Sequence, residues 1–506
     1  MSPTLLFSFV IGYFVLLLVV AFWASRNSNN DSFFIGNKNS NWMLVAFGMI
    51  GTSLSGVTFV SVPGLVGTNG FEYFQVVIGY LIGYALIAFI LLPLYYKMNL
   101  TSIYNYLLTR FGVTSYKTGA LFFIISRTLG ATGRLYLVIN VIQIFILDQL
   151  GVPFVVTTLV LLLMVLLYTF EGGVKTIVIT DTLQTSFMLI GLSVCTWYIL
   201  KSLDLSLVTA FQEFDQRNFS RVFNFDINAS SNIFKHILGG AFITVAMTGL
   251  DQEMMQKNIS VKNLKDSQKN MMTFSVIMAL VNLLFLILGG LLYIFASQHA
   301  IDVKGDDLFP TIALNYLPPV ISIVFIIGLI SALFPSADGA LTALTSSFCI
   351  DIIGLKRKPE WSEKKQRKVR LTVHFLFAFV FFLAVLFFKW LDNKSIIDII
   401  LKVAGFTYGP LLGLFAFGIL TKRQIKDKLS IYVCIIAPML ILGIDFLSNV
   451  QFYANVFRLE EATVANWKAI SHSIFGNFKM GYEILIYNGL ITFLGLWMIS
   501  KKPANA

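Results

Sequence analysis

Four charged side chains lie inside long apolar stretches of this sequence: Arg127, Arg134, Asp181 and Asp338. A charge at membrane depth costs about 2.5–3.5 kcal/mol on insertion scales, so each of these residues requires a partner or a function. Arg127 and Arg134 are seven residues apart, which is two turns along one helical face. One arginine can neutralise an internal aspartate, and the other can meet an anionic substrate. The alternatives are a structural ion pair or a side chain that extends to the membrane interface.

Small and hydroxylated residues are concentrated in two of the apolar stretches. One is Ser331–Gly339 (SALFPSADG), which surrounds Asp338 with hydroxyl groups. The other, 42–64, contains Gly48, Gly51, Thr52, Ser53, Ser55, Gly56, Thr58, Ser61, Pro63 and Gly64. Such a composition lets a membrane helix unwind, and the freed carbonyl oxygens then need a partner, which in a transporter is a cation. The two stretches therefore predict a sodium site, and a packing face of small residues is the alternative.

A second broken helix is predicted in the stretch 236–254. It contains the adjacent glycines Gly239 and Gly240, and a Thr-Gly-Leu sequence directly before Asp251. If the first apolar stretch of the chain is peripheral, the two broken helices are the first and sixth of a ten-helix core. That is the spacing of two five-helix inverted repeats, each of which opens with a discontinuous helix.

These elements belong to a chain that is apolar throughout. Of its 506 residues, 57% are hydrophobic and 12% are charged, whereas a soluble domain carries about 25% charged residues. Runs of about twenty apolar residues, long enough to cross a bilayer core of about 30 Å, recur from end to end. We predict thirteen transmembrane helices, at 4–25, 42–64, 71–96, 118–147, 152–170, 176–200, 236–254, 271–297, 321–351, 371–388, 396–420, 429–447 and 484–500. The first is too long for the apolar region of a signal peptide, so we expect it to remain as a helix.

The formal charge of +11 follows from topology rather than from a nucleic-acid partner. With the N-terminus outside and the C-terminus in the cytoplasm, the inward loops hold 24 Lys and Arg residues, the outward loops hold 10, and 3 lie within spans. The densest cluster, from Lys356 to Arg370, lies in a short inward loop, as the positive-inside rule requires. The sequence therefore predicts a multi-pass protein of the inner or plasma membrane, surrounded by the lipid bilayer, with no nucleic-acid partner.

Signals for an enzyme are absent from the sequence. It contains no Walker-type GxxxxGK[ST] motif, which argues against direct ATP hydrolysis. The four histidines are scattered at helix ends or in loops rather than clustered with carboxylates: His236, His299, His374 and His472. We therefore predict a transporter with no catalytic residues and no organic cofactor. A membrane enzyme or receptor is a remote alternative.

Five sequence blocks, in the same order, resemble the sodium/solute symporter family, which includes the sodium–glucose, proline, pantothenate and sialic acid transporters. They are Asp31–Asn39 (DSFFIGNKN), Glu171–Lys175 (EGGVK), Thr180–Gln184 (TDTLQ), Asp251–Gln256 (DQEMMQ) and Gly405–Phe415 (GFTYGPLLGLF). The resemblance covers nearly the whole chain. It implies an all-α membrane fold of the leucine-transporter type, with a 5+5 inverted-repeat core and an additional N-terminal helix. The implied units are a peripheral helix in 1–30, a first repeat in 31–200, an external loop in 201–235, a second repeat in 236–420 and peripheral C-terminal helices in 421–506.

The resemblance also implies a main sodium site between the break in the first core helix and the middle of the eighth core helix. Carried over by position, its ligands are the backbone carbonyls of Gly51, Leu54 and Ala332 and the hydroxyl of Ser336. Many family members have a second hydroxyl where this chain has Pro335, so one side-chain ligand is missing here.

A second sodium site, present in some members of the family, uses the aspartate that corresponds to Asp181 together with two serines. The positions of those serines are Asp338 and Gly339 in this chain. Two carboxylates close together repel unless a cation or a proton lies between them, so one sodium ion and two sodium ions per cycle both stay open. In the rival interpretation, Asp338 pairs with Arg127 or Lys402.

For the substrate, the resemblance points to an anion. In the sialic acid transporters, hydroxyls of the first core helix and an arginine of the third hold the substrate carboxylate. The matching positions are Ser53, Ser55, Thr58 and Arg134, with Gln75 as a polar partner from the second core helix. A planar guanidinium can bind a carboxylate through two hydrogen bonds. The implied function is a monomeric symporter that imports a small carboxylated sugar or another organic anion with sodium by alternating access. The alternative is a symporter of a neutral sugar or polyol, in which Arg134 forms a structural ion pair.

Overall fold

Helices form nearly all the regular structure of the part of the chain that the computed structural model describes. That part comprises residues 2–25, 40–100, 102–169, 173–391, 396–457 and 459–502. The sequence block Asp31–Asn39 and the first two residues of the block Glu171–Lys175 lie outside it. A short antiparallel ribbon pairs Gln424–Ile425 with Ser500–Lys501 near the C-terminal end.

The helices that form the spans are numbered here in chain order. They are α1 Pro3–Ser25, α2 Trp42–Ser53, α3 Gly56–Asn69, α4 Tyr73–Lys97, α5 Val113–Leu150, α6 Phe154–Thr169, α7 Gly173–Ser202, α8 Ile233–Gly249, α9 Gln252–Ile259, α10 Leu264–Gln298, α11 Pro319–Ile353, α12 Glu363–Leu391, α13 Ile396–Leu420, α14 Ser430–Ser448 and α15 Ile484–Met498. Shorter helices lie between them, at Asn105–Arg110, Leu207–Gln216, Leu308–Asn315, Val450–Phe457 and Glu461–Phe475.

The described residues contain nine helices that are long and apolar enough to cross a membrane, and up to eleven spans if each of the bent pairs α2–α3 and α8–α9 counts as one. The shorter apolar helices α6 and α15 coincide with two further predicted spans. The all-helical membrane architecture is therefore confirmed. The number of thirteen crossings stays a prediction, because α6 and α15 fall below the length of a full span.

Both stretches that the sequence predicts to be discontinuous are bent. The axes of α2 and α3 meet at 58°, and those of α8 and α9 meet at 66°. At the first bend the backbone leaves the helical conformation at Leu54 and Ser55, whose ψ angles are 82° and 175°. At the second bend Asp251 is extended, and its carboxylate accepts hydrogen bonds from the backbone N–H groups of Glu253 and Met254. Asp251 thus caps α9 and satisfies donors that the bend exposes.

Close helix crossings at glycine bring the bends together. A Cβ atom on Gly240 of α8 would lie 2.3 Å from the carbonyl oxygen of Val76 in α4. A Cβ on Gly191 of α7 would lie 3.1 Å from the Cα of Gly328 in α11. Membrane helices approach each other most closely at such small residues. These crossings hold α8 against α4 and α11 against α7, so that residues of both bends line one cavity.

The outer surface of the helical bundle is apolar. Large side chains such as Phe22, Leu167, Trp390 and Met498 are exposed, although each belongs to an apolar helix. A soluble protein of this size rarely exposes so much contiguous apolar surface, whereas a lipid-facing surface requires it. The polar and charged residues of the bundle are instead concentrated in its interior, around the two bends.

Candidate functional site

A cavity of about 740 Å³, including the space at its opening, lies at the first bend and beside α4, α5, α8, α10 and α13. Four of the predicted substrate residues line it: Ser53, Ser55, Thr58 and Arg134. Helix α4 contributes three tyrosines to the lining, Tyr73, Tyr80 and Tyr84. Helix α13 contributes three apolar side chains, Ile397, Ile400 and Leu401. The cavity therefore combines apolar walls with many hydroxyl groups and two guanidinium groups, and convergent polar groups of this kind orient a small ligand.

The two arginines of α5 both line this cavity but differ in their partners. Arg127 is buried and forms an ion pair with the carboxylate of Glu253. Its Nε also lies 3.9 Å from Oδ2 of Asp251, which accepts a hydrogen bond of 2.8 Å from the Tyr408 hydroxyl. Arg134 forms no ion pair or hydrogen bond with any residue that the structure describes. Arg127 is therefore neutralised within the protein, whereas Arg134 is a cation available to a ligand.

Sequence reasoning missed Asn282, an amide from α10 that lines the same cavity. Its Nδ2 donates to the carbonyl oxygen of Met278 at 2.8 Å. Its Oδ1 is buried and has no hydrogen-bond partner among the described residues. An unpaired acceptor of this kind is costly unless a ligand or water satisfies it. The signal was present in the sequence, because a lone amide in an apolar span is itself expensive.

The structure places Gln75 away from the cavity, unlike the other four predicted substrate residues. Its Nε2 donates to the carbonyl oxygens of Glu72 and Ser231 at 3.2 and 3.0 Å, and its Oε1 accepts from the Asn224 N–H. These bonds connect α4 to the loop before α8. Tyr73, two residues earlier on α4, lines the cavity instead.

The first bend, which contains the predicted sodium ligands Gly51 and Leu54, packs against the part of α11 that contains Ala332 and Ser336. A Cβ atom on Gly51 would lie 3.5 Å from Cγ of Pro335, so the bend packs directly against the middle of α11. No donor outside the helix itself, among the described residues, reaches the carbonyl oxygens of Gly51 or Leu54. The Ser336 hydroxyl donates to the carbonyl oxygen of Leu333 at 2.8 Å, which leaves its lone pairs free to accept a cation.

Pro335 also changes the backbone hydrogen bonding of the same site, in addition to lacking a hydroxyl ligand. A proline inside a helix has no N–H, so the carbonyl four residues earlier loses its helical donor. Here that carbonyl belongs to Ser331, one residue before the predicted ligand Ala332. The hydroxyl of Ser331 is meanwhile bonded at 2.7 Å to Tyr13 of α1. The middle of α11 is therefore a buried segment with loosened backbone bonding, next to the first bend.

Asp338 pairs with neither of the cations named in the rival interpretation. Its Oδ2 accepts a hydrogen bond of 2.7 Å from the hydroxyl of Tyr168 in α6. Lys402 instead forms an ion pair of 2.9 Å with Asp445 of α14. Because Arg127 is bonded to Glu253, the interpretation that pairs Asp338 with Arg127 or Lys402 is wrong.

The carboxylate of Asp181 is in contact with a cation that the sequence reasoning missed. Lys257 of α9 places its Nζ 2.7 Å from Oδ2 of Asp181, 2.6 Å from Oγ1 of Thr52 and 3.5 Å from Oε1 of Glu253. The side chains of Lys257 and Asp181 are 3% and 0% exposed. Since Glu253 also binds Arg127, α9 connects α5 to α7 through buried ion pairs.

The 24 Lys and Arg residues predicted to lie in inward loops include Lys257, because the predicted span 236–254 ends before it, and this placement of Lys257 is wrong. The structure continues the span past 254 as α9, whose eight residues are all buried. Glu253 and Lys257 are four residues apart, a spacing that puts them on one helical face. That spacing next to a predicted break was the signal for a buried pair.

Comparisons with known proteins match most of the chain to one family. Residues 33–427 match the model of the sodium:solute symporter family. The sodium/sialic acid symporter SiaT of Proteus mirabilis is 23% identical over 457 residues, covering 88% of this chain and 90% of that protein. The sodium/sialic acid symporter NanT of Aliivibrio fischeri is 22% identical and covers 81% of both chains. The mouse sodium/myo-inositol cotransporter is 21% identical, covering 81% of this chain and 62% of that protein.

One solved structure is similar along almost the entire chain. It is a substrate-bound, outward-open state of a Na+-coupled sialic acid symporter, with a TM-score of 0.80 and 19% sequence identity. The similarity covers 98% of this chain and 99% of that one. At this identity the likeness establishes a shared fold, the leucine-transporter type that the sequence blocks imply.

Proposed function

This chain belongs to the sodium:solute symporter family, and we propose that the solute it imports with sodium is a carboxylated sugar of the sialic acid class. The family match covers most of the chain, so the protein is a sodium-coupled membrane transporter and not an enzyme. Sodium is the coupling ion and is carried with the solute, and the family requires no organic cofactor. The identity of the solute and the residues that bind it constitute the proposal.

The observation that carries the proposal is the unpaired guanidinium of Arg134 in a cavity lined with hydroxyls. A cation without an internal partner is costly at membrane depth, and an anionic ligand removes that cost. Ser55 and Thr58 lie at the start of α3 and line the same cavity as Arg134. A carboxylate between them receives a charge-assisted pair from the arginine and single bonds from the hydroxyls. Asn282 supplies an acceptor for a hydroxyl or amide N–H of the sugar.

The sodium ion that accompanies the sugar is proposed to bind where the first bend meets α11. Its ligands are the carbonyl oxygens of Gly51, Leu54 and Ala332 and the hydroxyl of Ser336. Leu54 and Ser55 are adjacent, so this site and the substrate site share the same short non-helical segment. A sodium ion that orders the bend therefore also orders the hydroxyls that contact the substrate, which couples the two binding events.

The architecture proposed for this transport is a 5+5 inverted repeat with thirteen spans. The first repeat comprises 31–200 and the second 236–420, and each contains one of the two bent helices near its start. Residues 1–30 and 421–506 are proposed as peripheral, and 201–235 as an external loop. The excess of Lys and Arg in alternate loops supports an outside N-terminus and a cytoplasmic C-terminus. The protein is proposed to act as a monomer in the inner or plasma membrane.

A ligand screen on the purified protein tests the proposed solute. Thermal stability is measured with sialic acid, and with myo-inositol and glucose as neutral controls, each in sodium and in choline buffer. We expect stabilisation by sialic acid in sodium and a much smaller effect in choline, because a ligand that binds only the folded state raises its stability. Stabilisation by the neutral sugars alone would replace this proposal with a neutral-sugar symporter. That second candidate is favoured by the similarity to the myo-inositol cotransporter.

A further inference from the structure

The ammonium group of Lys257 has the surroundings of a bound cation. Three oxygen atoms lie within 3.5 Å of it, from Asp181, Thr52 and Glu253. These residues come from three different helices, α7, α2 and α9, and each is at least 97% buried. The lysine is itself on α9, so the cation is tethered to the bend rather than delivered from solution.

Gly339 of α11 makes room for this arrangement. A Cβ atom at this position would lie 2.1 Å from Oε1 of Glu253. Any side chain on residue 339 would therefore displace the Glu253 carboxylate, which contacts both Lys257 and Arg127. The carboxylate of Glu253 thus occupies space that is free only because residue 339 is glycine.

From these contacts we propose that Lys257 is a built-in cation: its ammonium group fills the position beside Asp181, so that a second sodium ion is excluded and one sodium accompanies each substrate. A sodium ion coordinated by Asp181 Oδ2 and Thr52 Oγ1 would overlap the ammonium, which already lies within 2.7 Å of both atoms. Two cations at such short range also repel strongly in a buried site. Sodium then binds only at the site formed by the first bend and Ser336.

This inference rests on the proposed function, because it concerns the ions that accompany the substrate. The direct test is the coupling ratio of the wild type in proteoliposomes, with the voltage held at zero by equal potassium and valinomycin. Under a tenfold sodium gradient, one sodium per substrate sustains about tenfold accumulation of sialic acid, and two sustain about a hundredfold. We expect about tenfold. Accumulation near a hundredfold in the wild type overturns the inference.

Variants at the same pair show whether Lys257 is the cause. Lys257→Met keeps the length of the side chain without its charge, and the vacated oxygens beside Asp181 then accept a second sodium, so we expect accumulation to approach a hundredfold. Lys257→Arg retains a cation and is expected to stay near tenfold. The double variant Lys257→Met/Asp181→Asn lacks the anion that would attract sodium and is also expected near tenfold. A folded, active Lys257→Met variant that stays near tenfold would show that another group excludes the second ion.

Different results in these experiments contradict the proposed function and the role of Lys257. If no sodium-driven accumulation of any tested sugar occurs, the proposed function is wrong. If accumulation is sodium-driven but the wild-type ratio corresponds to two ions, only the role of Lys257 is wrong. The wild-type measurement needs no variant, so the test holds even if Lys257→Met does not fold.

Discussion

Arg127 and Arg134 line the same cavity from one helix, yet only Arg127 has an anionic partner within the described protein, the carboxylate of Glu253. The seven-residue spacing puts both guanidinium groups on one face of α5. The ion pair with Glu253 holds the first of them against α9, at the second bend. The guanidinium of Arg134, two turns further along, can instead contact a ligand in the cavity. This division of roles between two identical side chains leads to opposite predictions for their removal.

Replacement of Arg134 by alanine is expected to weaken the binding of sialic acid without destabilising the protein. A hydrogen bond to a charged group contributes about 1.5–3 kcal/mol, so affinity should fall by about ten- to a hundredfold. The measurement is the dissociation constant of the purified protein in saturating sodium. Arg134→Lys keeps the charge but loses the planar fork, and an intermediate affinity is expected. Unchanged affinity in Arg134→Ala would mean that the arginine does not contact the substrate.

Replacement of Arg127 by methionine is expected to destabilise the protein. The change leaves the carboxylate of Glu253 buried with only Lys257 beside it, and breaking a buried ion pair costs about 3–5 kcal/mol. The measurement is the fraction of detergent-solubilised protein that remains monodisperse after heating. The second change Glu253→Gln removes the uncompensated charge, so the double variant should recover much of the loss. Wild-type thermal stability in Arg127→Met would contradict a structural role for this pair.

Replacement of Ser336 by alanine is expected to raise the sodium concentration that half-activates uptake by about tenfold, since a side-chain ligand of a bare cation is lost. The matched control is Ser322→Ala on the same helix, because the Ser322 hydroxyl is equally buried but donates to the carbonyl oxygen of Ala313. The control should leave the sodium dependence unchanged. Equal sodium activation curves in the wild type and Ser336→Ala would place the sodium site elsewhere.

Replacement of Asn282 by leucine is expected to lower the affinity for sialic acid by about tenfold, because the substrate loses an acceptor. Without ligand, the thermal stability of the variant should equal or exceed that of the wild type, because the wild type buries Oδ1 of Asn282, which has no partner among the described residues. Binding and unliganded stability are measured on the same preparation. A loss of stability without a loss of affinity would make Asn282 a packing residue.

Much of the fold could be predicted from the sequence because a lipid bilayer permits few backbone structures. Apolar runs give the spans, and clusters of small and hydroxylated residues give the breaks at Leu54–Ser55 and before Asp251. The cavity position of residues from one short segment could also be predicted: Ser53, Ser55 and Thr58 line the cavity because the bend itself forms one of its walls.

The residues that could not be placed depend on contacts between distant segments. Whether Arg127 or Arg134 is paired depends on Glu253, which is more than a hundred positions away and reaches α5 only after the second bend turns the chain by 66°. From its local sequence Lys257 looks like a loop residue, and it is buried only because the second bend turns α9 back into the protein. Gln75 is a polar residue in a span, and the sequence around it does not show whether its side chain contacts a substrate or another part of the protein. In the structure it is bonded to Ser231 and Asn224.

Uptake of sialic acid into proteoliposomes under imposed ion gradients tests the central claim most directly. External sodium is compared with potassium and choline at equal ionic strength, and with a proton gradient in the absence of sodium. We expect concentrative uptake with an inward sodium gradient, loss of uptake in potassium and in choline, and no concentrative uptake driven by protons alone. Full accumulation driven by the proton gradient without sodium would contradict it.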